Sequence, residues 1–221
     1  MPKPVQEDYR TKGLRKQLVA VLERKGIADP EVLAAIGAIP RHLFIDDTAF
    51  LQHAYEDIAF PIACGQTISQ PYTVARQTEL LGPVKGRKVL EVGTGSGYQT
   101  AVLTTMGAKV FSIERHKPLF VRTKQRLEEM GYRANLYYGD GYAGLPMHAP
   151  FDAILVTCGA PYVPPALQAQ LKPGGVLVIP VGPGDVQRMR RLVLLPDGTV
   201  SDTAHGDFRF VPMLGEKADN S

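Results

Sequence analysis

The stretch Arg87–Thr100, RKVLEVGTGSGYQT, decides the fold. Its first half is a short run of apolar, partly β-branched residues and reads as a buried strand. Its second half alternates glycine with small residues, and a helical pattern begins at Tyr98. A strand that passes through glycines into a helix is the opening unit of a parallel α/β sheet, with a ligand loop at the strand's carboxyl end. Glycine permits the tight turn and lets a ligand approach the backbone closely. The spacing discriminates between ligands. A dinucleotide loop reads G-x-G-x-x-G. Here Gly93, Gly95 and then Tyr98 fail that pattern, and Gly97 closes it one residue early. A cofactor without a pyrophosphate suits the shorter loop.

Downstream the alternation continues. KVFSIE is a second strand, and Leu119, Thr123, Leu127 and Met130 define a helix closed by Gly131. NLYYGD and FDAILVT are further strands, PPALQAQL a short helix and GGVLVIPV a fifth strand. This order predicts a doubly wound α/β fold with a mostly parallel, Rossmann-like sheet. Near the end, RRLVLLP and a strand near FRFVPM flank the turn signal PDG and predict antiparallel additions at one side. Residues 216–221 read as a flexible tail. Upstream, residues 6–25 place Leu14, Leu18, Val21 and Leu22 on one helical face, and Asp29-Pro30-Glu31 reads as the cap and first turn of a second helix. Residues 1–40 are thus an N-terminal helical cap on a single domain spanning 1–221. Residues 41–62 have no clean period and read as irregular with short strands. Val74, Ala75, Thr78 and Leu81 give one more helix, ending at Gly82-Pro83.

Composition bounds the function. At 221 residues, 44% hydrophobic and 21% charged, the chain is globular in type, and a net charge of +3 is too weak to argue for nucleic acid. Its two cysteines, Cys64 and Cys158, and its five histidines show no metal spacing, so no metal is expected. The N-terminus lacks a signal-peptide core, and no apolar run approaches a membrane span. The expectation is a cytoplasmic monomer without membrane contact.

The strand ends carry the chemistry. The first offers Glu91, Gly93, Thr94, Gly95, Ser96 and Gly97. Glu114 ends the second, and a carboxylate there can accept both hydroxyls of a ribose. Asp140-Gly141 follows the third, where an adenine amino group needs an acceptor. Amino acid, ribose and adenine contacts in that order fit S-adenosylmethionine.

GQTISQP (65–71), EVGTGSGYQTAVL, GDG, PFDAILVT, LKPGGVLVIPVG and FRFVP together resemble the protein-L-isoaspartate O-methyltransferase family, over about Leu14 to Gly215. Cys64 departs from the glycine, tyrosine or histidine expected there. The resemblance implies methyl transfer from S-adenosylmethionine, leaving S-adenosylhomocysteine, to the free carboxylate of isoaspartyl residues in damaged peptides and proteins. The ester then re-closes to a succinimide, which begins repair. It further implies Ser69 as the catalytic hydroxyl, and Gly65, Gln66, Thr67 and Ile68 as a substrate cradle. Pro71 and Tyr72 fall near the cofactor, and Val211 and Pro212 near the substrate backbone.

That assignment suits the reaction. A carboxylate with a reference pKa near ~3.9 is already ionised at neutral pH, so no general base is needed. Anion and cation become a neutral ester and thioether, so the protein's task is alignment in a cavity poor in water. Neutral donors orient the anion without over-stabilising it in the ground state. Ser69 also reads as a helix cap before Pro71. Three other readings stay open: a methyltransferase with another acceptor, a nicotinamide-dependent oxidoreductase, and a non-catalytic adenosyl-binding module.

Overall fold

The computed structural model describes residues 9–219. Helices α1 (Tyr9–Arg24) and α2 (Pro30–Ala38) come first. Asp29 caps α2, its Oδ1 accepting from the amides of Glu31 at 2.8 Å and Val32 at 3.3 Å. Such a cap contributes about 1 kcal/mol. Two 3-10 turns, Arg41–Phe44 and Thr48–His53, fill the aperiodic stretch. A two-stranded ribbon of β1 (Phe60–Pro61) and β2 (Thr67–Ile68) then leads into α3 (Pro71–Leu81).

The main sheet uses β3 (Lys88–Val92), β4 (Lys109–Glu114), β5 (Asn135–Tyr138), β6 (Phe151–Val156), β7 (Leu171–Val181), β8 (Gln187–Leu194) and β9 (Val200–Phe208). Between them run α4 (Tyr98–Thr105), α5 (Lys117–Glu129) and α6 (Pro165–Gln168). The spatial order is β5-β4-β3-β6-β7-β8-β9. The first five strands are parallel, and β8 and β9 are antiparallel. The chain runs outward from β3 to β5, then returns to β6 on the other side of β3. That reversal opens a crevice at the carboxyl ends of β3 and its neighbours.

Alternation along β3 explains the two-layered core. Val89 packs with α1 to α4 through Leu18, Leu22, Val32, Ile36, Val74 and Leu103. Leu90 and Val92 point to the other face, with Ile113, Phe151, Leu167 and Leu177. Side chains of this size contribute about 1.5–3 kcal/mol each when buried. Among the described residues no helix is long and apolar enough to cross a membrane.

Two expectations change at the C-terminal end. The last strand is Val200–Phe208, not FRFVPM. VSDTAHGDF is polar and almost wholly exposed because β9 is the sheet edge, so it carries no apolar period. After Phe208 the chain leaves the edge and crosses toward β6: the Gly159 amide donates to Val211 O at 2.8 Å, and the Met213 amide to Gly159 O at 2.7 Å. Residues 216–219 of the expected tail are docked, while 220–221 lie outside the described residues. The Ala218 amide donates to Arg115 O at 2.8 Å, and the Lys117 amide to Ala218 O at 3.0 Å. Arg115 clamps the carbonyls of Gly215 and Glu216 at 3.1 and 3.0 Å.

Candidate active site

A cavity occupies the crevice. Its walls come from residues 92–96 after β3, 113–116 after β4, Gly141 after β5 and residues 157–158 after β6. Residues 66–69 and 211–214 close it from outside the sheet, and Val74, Tyr98 and Gln99 complete it. Of the residues singled out in the sequence, Gln66, Thr67, Ile68, Ser69, Gly93, Thr94, Gly95, Ser96, Glu114, Gly141, Val211 and Pro212 meet there.

The glycine loop is shaped by its neighbours as well as by its turn. Gly93 has φ of 97°, and a Cβ there would lie 2.6 Å from Thr157 Oγ1. That hydroxyl is committed, donating to the carbonyls of Gly93 at 2.7 Å and Val92 at 3.0 Å. Gly97 starts α4 at φ of 87°, and a Cβ there would sit 2.7 Å from Thr123 Cγ2. It is a packing glycine, off the cavity wall.

Glu114 is buried at the cavity edge and forms no ion pair among the described residues. The amides of Gly95 and His116 donate to its two oxygens, each at 2.9 Å. Each oxygen keeps a lone pair, enough for a vicinal diol. Among the buried atoms of wall residues without a hydrogen-bond partner are Gln99 Oε1 and His116 Nδ1. Buried polar atoms are normally satisfied, so these two fit a polar ligand in the cavity. Among the described residues no lysine lines the wall and no group of three metal-ligating side chains occurs.

The GQTISQP loop is built differently from its sequence reading. The cap of α3 is Gln70, without a side-chain hydrogen bond, and not Ser69. Asp57 serves the helix start instead, accepting from the Tyr72 amide at 2.7 Å and from Gln70 Nε2 at 3.1 Å. Ser69 Oγ takes no partner among the described residues. The Ser69 carbonyl is held from beneath by Arg41, whose Nη2 donates to it at 2.9 Å and to Ile58 O at 3.3 Å. Arg41 is wholly buried, its guanidinium 4.8 Å from the Tyr98 ring centroid, and burial lowers its pKa to about 10. Both of these bonds go to carbonyls rather than to a carboxylate. Nothing local in IPRHLF shows that the chain folds back over it.

Six singled-out residues lie off the wall. Glu91 points to the α4 face, where its carboxyl accepts from Thr100 Oγ1, because strand alternation sends Val92 to the cavity instead. Burial, opposed by hydroxyl hydrogen bonds from Thr100 and Ser112, pushes its pKa up to about 8. Asp140 turns back on its own loop, accepting from the Tyr142 amide at 2.9 Å, and leaves Gly141 at the wall. Gly65 is exposed before the cradle, Pro71 is buried in the first turn of α3, and Tyr72 faces a neighbouring groove. Gly97, as above, is the sixth.

Wall residues missed in the sequence are Val74, Val92, Tyr98, Gln99, Ile113, Arg115, His116, Thr157, Cys158, Met213 and Leu214. Val92, Tyr98, Ile113, Arg115 and Met213 adjoin residues that had been chosen, and Gln99, His116 and Leu214 lie one position further on, so proximity to those segments was their signal; Thr157 and Cys158 follow a strand whose end had not been read as part of the site. Cys158 faces the cavity but is packed densely enough that burial, aided by the charge of Glu114, pushes its thiol up to about 12.

Residues 13–218 match the family model described as Protein-L-isoaspartate(D-aspartate) O-methyltransferase (PCMT). A protein-L-isoaspartate O-methyltransferase of Cytophaga hutchinsonii is 54% identical over 217 residues, covering 98% of each chain. One of Christiangramia forsetii is 57% identical over 214 residues, covering 96% of this chain and all of that one. A solved protein-L-isoaspartate O-methyltransferase superposes with a TM-score of 0.79 at 30% identity, covering 91% of this chain and 66% of that one. A Plasmodium falciparum structure described as a complex with S-adenosyl-L-homocysteine shares the fold, with a TM-score of 0.78 at 24% identity over 90% of this chain and 98% of that one. The match over nearly the whole length, on a cavity at the sheet's reversal point, places this chain in the protein-L-isoaspartate O-methyltransferase family.

Proposed function

We propose that the cavity binds S-adenosylmethionine and that the chain transfers its methyl group to the free carboxylate of an L-isoaspartyl residue in a damaged peptide or protein. The observation that carries this reading is the convergence of the glycine loop, Glu114 and the Gln66–Ser69 segment on one cavity. Glu114 would hold the ribose, and Gly93 to Ser96 the amino-acid part. When bound, S-adenosylmethionine supplies an electrophilic methyl group on a sulfonium.

The chain's own residues do the rest. Ser69 Oγ and the adjacent backbone donate to the acceptor carboxylate and aim one oxygen. Among the described residues Arg115 is the one lysine or arginine on the wall, and its hydrogen bonds to the carbonyls of Gly215 and Glu216 keep it from forming a tight ground-state ion pair with the acceptor. Apolar side chains of Val74, Ile113, Val211 and Met213 limit water near the anion. No proton need move, since the acceptor is ionised already. Good alignment can contribute ~7–11 kcal/mol to such a step.

The test is transfer of labelled methyl from S-adenosylmethionine to an isoaspartyl peptide and to its normal aspartyl twin. Label on the first and none on the second is expected. No label on either, at saturating donor, rejects the reading, and equal label on both points to another acceptor. The repair step is checked by succinimide appearing from the methylated peptide. The remaining expectations, a monomer in the cytoplasm without nucleic-acid partners, are checked by sedimentation and cell fractionation.

A further inference from the structure

Beside the cavity a groove of about 680 Å³ opens. It shares Thr67, Ser69, Thr157 and Val211 with the cavity, so the two spaces meet at the proposed catalytic hydroxyl. One side of the groove is aromatic. Tyr72 stacks on Phe208 with centroids 6.3 Å apart and planes 13° apart, and Phe208 meets Phe210 at 6.4 Å.

Its charge is uneven. Asp207, the one acid lining it among the described residues, is engaged by Arg188, whose Nε donates at 2.7 Å. Arg209 lines the same groove, is exposed, and has no carboxylate or carbonyl partner among the described residues. Around His205 the field is positive too: besides burial, the charges of Arg76 and Arg191 disfavour its proton. The groove thus offers aromatic faces, a neutralised acid and a cation without a counter-ion, directly beside Ser69.

We propose that this groove holds the peptide flanking the isoaspartyl residue, and that Arg209 selects substrates with aspartate or glutamate in that flank. The proposal rests on the methyltransferase reading above. A peptide is the fitting occupant because the groove runs into the acceptor end of the cavity. An acidic flank is the fitting chemistry because it supplies the counter-ion that Arg209 lacks. A rim charge of this kind acts on encounter and specificity more than on the reacting atoms.

The experiment uses the full chain and three isoaspartyl peptides that differ only in flanking glutamate, alanine or lysine. The glutamate peptide is expected to exceed the alanine peptide in kcat/KM by about 2- to 5-fold, mostly through KM, with the lysine peptide lowest. Raising the salt concentration is expected to shrink that ratio in the unaltered protein, a readout that needs no variant. Arg209→Gln is expected to bring the glutamate-to-alanine ratio near unity, and Arg209→Lys to restore most of it. Equal kcat/KM for the three peptides overturns the proposal, as does a preference untouched by salt or by Arg209→Gln. Failure to methylate any isoaspartyl peptide would instead reject the underlying methyltransferase reading.

Discussion

Ser69 lies where the cavity and the groove meet, with its carbonyl tied down and its hydroxyl unengaged among the described residues. Ser69→Ala is therefore expected to lower kcat by on the order of 10²-fold, the scale of a reacting group left misaligned by about 1 Å. Calorimetry should give the same S-adenosylhomocysteine affinity as the parent; a matching fall in affinity would make Ser69 a cofactor residue. Glu114→Gln keeps the shape but halves the acceptor capacity, and is expected to weaken S-adenosylhomocysteine binding about 10-fold, read by the same titration. Both residues were legible in the sequence, one from its place in GQTISQP and one from its strand end. Asp140 and Glu91 lie off the cavity wall for a common reason. A sequence gives a position along a strand or loop, whereas the side chain's direction depends on pleat and on local amide bonds, as Tyr142 and Thr100 show.

At the scale of elements, the loop before α3 depends on a residue far from it in the chain. Arg41 joins the carbonyls of Ile58 and Ser69, bracketing the ribbon of β1 and β2. Arg41→Met removes both bonds and leaves two buried carbonyls short of donors. Stability is expected to fall by roughly 2–4 kcal/mol, seen as a lower urea midpoint. KM for an isoaspartyl peptide should rise more than the affinity for S-adenosylhomocysteine falls; unchanged KM would detach Arg41 from the loop. Arg41→Lys is expected to rescue little, since a compact, strongly hydrated ammonium is costlier to bury at this site than a guanidinium and loses its planar face against the Tyr98 ring. The regular βα units were readable because buried strands and amphipathic helices leave periods. β9 was not, because an exposed edge strand needs only backbone partners from β8, and its polar side chains carry no pattern. The docked C-terminal segment was missed likewise: its anchors are backbone groups of residues 115–117 and the side chains of Arg115 and Tyr138, and in EKADNS the one apolar residue, Ala218, leaves no period to read.

Across the whole molecule, Glu91 couples folding to pH. Its carboxyl is held near a pKa of about 8, above its ordinary value of 4.5, mainly by burial between β3 and α4. The folded state therefore keeps a proton that the unfolded chain releases above pH ~4.5. Stability from this group is fully present below that value and declines at roughly 1.4 kcal/mol per pH unit until the folded pKa is passed. Glu91→Gln removes the decline. Its melting temperature relative to the parent is expected to rise between pH 5 and pH 8; a constant difference would mean that Glu91 is ionised in the fold. The cavity has a wider effect. It is walled by pieces of chain as far apart as Gln66 and Leu214, from the loop, four strand ends and the C-terminal segment. No cleaved half can retain a pocket, and any occupant fastens all these pieces at once. Occupancy becomes visible as heat resistance: at a hundredfold excess over Kd a ligand adds ~2.7 kcal/mol. In a chain of this size that corresponds to a melting point about 5–10 °C higher, so a thermal shift with S-adenosylhomocysteine reports a filled site before any methyl group has moved.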